Sequence, residues 1–121
     1  MSFDEFLGGR LRTVLSHRGD VVEKRMFGGL AFMVAGNMCV GIIGEDLMVR
    51  VGPEADTEAL AQPHARPMDF SGRPMKGYVY VAPPGVETEE MLTAWVNRAV
   101  AYATALPPRS ARPARRPQTR K

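Results

Sequence analysis

The sequence predicts an α+β fold of two layers, one antiparallel β-sheet with helices mainly on one face, in the order α-β-β-β-α-β-β-α. Three observations carry this. Leu30, Phe32 and Val34, then Met38, Val40 and Ile42, then Leu47, Val49 and Val51 place apolar residues at every second position. A period of two belongs to strands with one buried side. Two flanking segments, 3–19 and 88–106, instead repeat apolar residues at helical spacing. Short clusters of turn residues separate the strand-like runs, as in hairpins.

In order, Ser2 and Glu5 stand at capping-box spacing and open a helix with Phe3, Phe6, Leu7, Leu11, Val14 and Leu15 on its apolar side. His17 and Arg18 suit its last turn, and Gly19 supplies a left-handed stop. Gly8 and Gly9 each cost this helix about 1 kcal/mol relative to Ala, which implies a close neighbour or a bend. Val21 to Met26 is extended and leads through Phe27, Gly28 and Gly29 into the strands. A three-residue loop of Ala35, Gly36 and Asn37, with Asn37 left-handed, sets Val34 against Met38, Phe32 against Val40 and Leu30 against Ile42. A loop at Glu45 and Asp46, or one from Ile43 to Asp46, keeps Val40 and Ile42 level with the third run. A slip of one residue would turn the bulky set outward, so the pattern fixes the register.

Gly52 and Pro53 end the third run, and Pro53 opens a short helix reaching about Ala61 before Pro63. Met68 to Phe70, a Ser71–Gly72 turn and a strand from Met75 or Lys76 to Val81 follow. Pro67 and Pro74 place these strands at sheet edges or at strand starts. Thr88, Glu89 and Glu90 begin the last helix, lined by Leu92, Trp95, Val96, Ala99, Ala103 and Leu106 and stopped by Pro107 and Pro108. Residues 1–106 thus read as one domain and 107–121 as a disordered basic Pro/Arg tail.

The net charge of +3 conceals a division. Six of the sixteen basic residues, Arg109, Arg112, Arg115, Arg116, Arg120 and Lys121, follow Pro108 with no acid among them, leaving ten basic against thirteen acidic residues before it. Basicity belongs to the tail, which suits weak, salt-sensitive phosphate contact without sequence readout. No aromatic residue is interleaved with the arginines to stack on bases. No apolar run approaches the roughly 20 residues that span a bilayer. The acidic start MSFDEFL is no signal peptide, and the single Cys39 fits a reducing compartment. The expected location is the cytoplasm, with no membrane partner.

Chemistry-bearing patterns are sparse. Gly28 and Gly29 precede a strand rather than a helix, so they read as a turn and not a phosphate loop. His17, His64 and Cys39 have no zinc spacing, and no serine has a nucleophile-elbow context. The expectation is a protein without catalytic residues, metal or cofactor. The second side of the sheet is the informative feature. Ala31, Met33, Cys39, Gly41, Ile43, Met48 and Arg50 fall there, joined by Tyr78 and Tyr80, where a solvated face would alternate to Lys, Glu, Thr or Ser. Met, Tyr and Arg are enriched at protein interfaces, so Met33, Met48, Arg50, Tyr78 and Tyr80 are candidates for contact with a partner protein or a second copy. Arg25, Arg66 and Lys76, with Arg50, lie on or beside the sheet and are candidates for meeting a small anion.

The segments RMFGGLAFMVAGNMCVGI, DLMVRVGPE, ALAQPHARPMDFSGRPMKGYVYV and AWVNRAVAYATALP, in this order, resemble the TfoX N-terminal domain family of bacterial competence regulators. Arg25, Met26, Phe27, Gly28, Gly29, Arg50, Gly52, Pro63, Phe70 and Gly77 fit the family pattern. The resemblance implies an α+β fold like that of secretion chaperones and a role beside transcription, where competence regulators assist the cyclic-AMP receptor protein. It implies no catalytic residues. Full competence regulators carry a further C-terminal helical domain, where this chain has its basic tail.

Overall fold

A computed structural model of the chain describes residues 4–26, 28–70 and 73–107. The elements are α1 (Glu5–Val14), β1 (Val21–Met26), β2 (Gly29–Val34), β3 (Asn37–Ile43), β4 (Asp46–Arg50), α2 (Asp56–Leu60), β5 (Ala65–Phe70), β6 (Arg73–Val81) and α3 (Glu89–Ala105), with 3-10 turns at Pro53–Ala55 and Pro83–Val86. The predicted α+β class holds. One sheet runs β1-β2-β3-β4-β6-β5, and every neighbouring pair is antiparallel. The extended lead-in 21–26 proves to be a full edge strand, giving six strands among the described residues. It pairs with β2 over its whole length, from Val21 opposite Val34 to Met26 opposite Gly29.

Period two sets the register as expected through the middle of the sheet. Phe32 faces Val40, Leu30 faces Ile42, and these continue to Val49 and Leu47. The β2–β3 turn differs. Ala35 and Gly36 alone take positive φ, 54° and 81°, and Asn37 opposes Val34 inside the ladder. This two-residue turn shifts Met38 opposite Met33, and the register slips between Phe32 and Met33, so Cys39 is the extra residue of a β-bulge. A bulge puts two successive side chains on one side of the strand. Cys39 therefore joins Val40 in the core and Met38 moves to the second face, which reverses the sides expected for both.

The core lies between one sheet face and the helices. Leu7, Leu11 and Leu15 from the α1 region, Ala59 of α2, and Leu92, Trp95, Val96, Ala99 and Ala103 of α3 form one cluster with Leu30, Phe32, Val34, Val40, Ile42, Leu47, Val49, Val79 and Val81. The last helix matches its expected apolar side, and Thr88 caps it by accepting from the Met91 N–H at 3.1 Å. The first helix departs from expectation at both ends. Asp4 is the N-cap, its carboxylate accepting from the N–H groups of Phe6 and Leu7. The helix closes at Val14, and Gly19 does not take a positive φ. Phe6 lies 77% exposed, off the buried side. Gly8 meets Leu30 and Ile42, where a Cβ would lie 3.7 Å from either side chain.

The expected helix after Pro53 is divided into the 3-10 turn and α2, and the strand expected at 68–70 begins at Ala65. Pro67 stands on edge strand β5, and Pro74 lies in the part of β6 that extends past its pairing with β4. Gly28 turns the chain with φ 73°, and a Cβ on Gly29 would run into the Ile42 carbonyl. Ser2, Phe3, Phe27, the Ser71–Gly72 turn and the segment 108–121 lie outside the described residues.

Candidate interaction face

Cross-strand pairing lays out the second face in rows. One row reads Lys24, Ala31, Gly41, Met48, Tyr80 and Arg66 from edge to edge. A second sets Val22, Met33 and Met38 side by side, and a third pairs Arg50 with Tyr78. Among the described residues, the buried apolar side chains of all three helices belong to the opposite, core face. The second face is covered by its own side chains instead. Gly41 leaves room for the Met48 methyl, which would lie 3.0 Å from a Cβ there. Met48 is accordingly only 4% exposed and forms the floor of the face rather than its contact surface. Met33, Met38, Ile43, Arg50, Tyr78 and Tyr80 remain half-buried, and Val22 is exposed.

The arginines on this face have different surroundings. Arg66 lies over the Tyr80 ring, 4.9 Å from its centroid, and donates to Asp46 at 2.7 Å. That hydrogen bond holds the guanidinium above its ordinary pKa, partly offset by desolvation. Arg50 stands over two rings, 5.6 Å from the Tyr78 centroid and 5.2 Å from that of Tyr102 on α3. Among the described residues it has no carboxylate within 4.0 Å and donates no hydrogen bond to the protein. Two glycines allow this closeness. Gly52 at φ 90° lies so close to Tyr102 that a Cβ would collide with the ring. Gly77 at φ 91° accepts through its carbonyl from both Val51 and Gly52 N–H groups and donates its own N–H to Asp56 at 2.8 Å. Tyr102 and Gly52 also line a groove of about 640 Å³ with Pro53, Ala55, Ala101 and Leu106.

The four basic residues considered as anion ligands are not brought together. Arg25 lies on β1 opposite Leu30, on the core side, and Arg66 lies on β5 at the other edge. Five strand spacings separate those edges, roughly 24 Å. Lys76 is exposed on β6, Arg66 lies over one ring and Arg50 over two. Tyr102 was not legible as a site residue, because in sequence it is one more apolar position of the last helix. Its signal was Gly52, a glycine placed where a ring must approach the backbone.

Cys39 is fully buried, and desolvation pushes its thiol up to about 12. His64 is a loop residue at φ 68° whose carbonyl accepts from Ala82. Among the described residues no cluster of three His, Cys, Asp or Glu side chains could hold a metal, and no helix is long and apolar enough to cross a membrane. Compared with known proteins, residues 13–103 match the family model described as the TfoX N-terminal domain. No curated protein and no solved structure matches the chain.

Proposed function

From the premise that this chain belongs to the TfoX N-terminal domain family, we propose that it is a non-enzymatic cytoplasmic interaction module that acts in transcription regulation through protein contacts. The observation that carries this reading is the second sheet face. Met33, Met38, Tyr78 and Tyr80 are half-buried there, with the helices' buried side chains all on the other side. Met and Tyr are enriched at protein interfaces, and a face without a helical layer is where an antiparallel sheet accepts a partner. A second copy of the chain or a regulatory protein would fill that place, and a part in competence would follow from the second case.

Met33→Glu and Tyr80→Glu place charge on this face without entering the core. Both variants should keep wild-type thermal unfolding and lose mass by light scattering if the face self-associates, or lose capture of a stoichiometric regulatory protein from bacterial lysate. Unchanged mass together with unchanged capture would overturn the reading. A second reading, weak nucleic-acid contact, is favoured by the six basic residues after Pro108. Those residues lie outside the described structure and act independently of the face.

A further inference from the structure

We propose that Arg50, held between Tyr78 and Tyr102, is a receptor for a carboxylate, presented as an acidic side chain by the protein that covers the second face. The inference rests on the interaction-face reading and gives that partner a chemistry. The ion-paired arginines among the described residues are already engaged, Arg98 with Glu58 at 3.9 Å among them. Arg12 donates twice to Glu23, Arg18 twice to Asp20, and Arg66 to Asp46. Arg10, also half-buried, donates to the Thr88 carbonyl, whereas Arg50 is half-buried beside two rings with no acid in reach and no donated hydrogen bond among the described residues.

A cation over a ring is attracted by the ring quadrupole, which acts on its charge and leaves the N–H fork unused. Two rings also displace water from the guanidinium, so an anion arriving there meets a cation that is already partly dehydrated. Binding requires little ordering, because Gly52 and Gly77 fix the backbone on both sides and α3 fixes Tyr102. One planar cation with a two-pronged donor edge matches one planar monoanion with two oxygens, which is a carboxylate. A phosphate dianion would call for a second cation, and the neighbouring Arg66 is already engaged by Asp46. The face as a whole supports an acidic partner. Among the described residues, Lys24, Arg50 and Arg66 lie on it, and the carboxylate of Asp46 beside them is already engaged by Arg66.

The test is residue-resolved. In the full chain, labelled at arginine side chains for NMR, acetate is titrated and the Nε–H signals of Arg12, Arg18, Arg50 and Arg66 are followed together. The expected result is a saturating shift at Arg50, at least several-fold larger than at the three paired arginines, with inorganic phosphate giving a weaker response at equal ionic strength. Tyr102→Leu should remove the saturation at Arg50. A parallel, non-saturating drift of all four signals would overturn the proposal, as would a stronger response to phosphate. The wild-type comparison among arginines decides the matter even if Tyr102→Leu fails to fold. A failed acetate titration beside a positive Met33→Glu result would remove the carboxylate receptor and leave the interaction face standing.

Discussion

At the scale of single residues, the glycines separate space that is filled from space that is empty. Gly52 combines a φ of 90° with contact against Tyr102, so any side chain there is strained and also displaces the ring. Gly52→Ala should lower stability by about 2–4 kcal/mol in urea unfolding. Gly9, in α1 with nothing within 4 Å of a Cβ, should behave oppositely, and Gly9→Ala should raise stability by about 0.5–1 kcal/mol in the same assay. Equal effects from the two substitutions would mean that the packing around Tyr102 is not as described. Cys39 makes a second residue-scale prediction. Burial raises its thiol pKa from 9.0 to about 12, so with rising pH the unfolded chain loses this proton first. Between those values the native state binds more protons, and Cys39 stabilises the fold fully below pH 9 and progressively less above it. Below pH 9 a thiol reagent should label the native protein only at the rate of unfolding. Rapid labelling without denaturant would contradict the burial.

At the scale of elements, the sequence pattern was reliable where one side of an element is uniformly apolar and misleading where a local irregularity reassigns sides. The Leu30, Phe32, Val40, Ile42, Leu47 and Val49 ladder was legible because burial on one face penalises every alternative register at once. The bulge at Cys39 was not. Both Met38 and Cys39 are apolar, so alternation alone cannot say which faces the helices, and a turn shorter by one residue decided it. The candidate face was legible in Tyr78, Tyr80 and Met33, whereas the Arg50 surroundings depended on Tyr102, distant in sequence and placed by packing. Asn37 shows how the same turn gains a structural task. Expected at the loop's left-handed position, it is instead 2% exposed and donates through its side chain to the carbonyls of Ala103 and Pro107 at 3.3 and 3.1 Å. It thus ties the β2–β3 hairpin to the end of α3. Asn37→Ala would leave two carbonyls without that donor, a loss of about 1–3 kcal/mol. Hydrogen exchange should accelerate first in the last turn of α3. Uniform acceleration over the whole domain would show that Asn37 supports the core generally rather than this junction.

At the scale of the whole molecule, charge is distributed in two opposed portions. Residues 1–108 hold thirteen acidic and ten basic residues, and the six basic residues beyond them reverse the sign of the total. Long-range attraction to a polyanion is governed by the number of phosphates neutralised, each contributing a slope of about −0.9 in log affinity against log salt on duplex DNA. If the segment 109–121 supplies all such contacts, the slope for this chain cannot be steeper than roughly −5, and affinity must be insensitive to base sequence because no reading element accompanies the charges. Removing residues 109–121 changes the net charge from +3 to −3, and repulsion then replaces attraction. The shortened protein should pass unretained through a DNA column at low salt, while Arg50→Gln in the full chain should elute as wild type. Retention of the shortened chain would assign nucleic-acid contact to the folded portion and would set the exposed cations of the second face, Lys24 and Arg66 among them, against phosphate rather than an acidic protein surface.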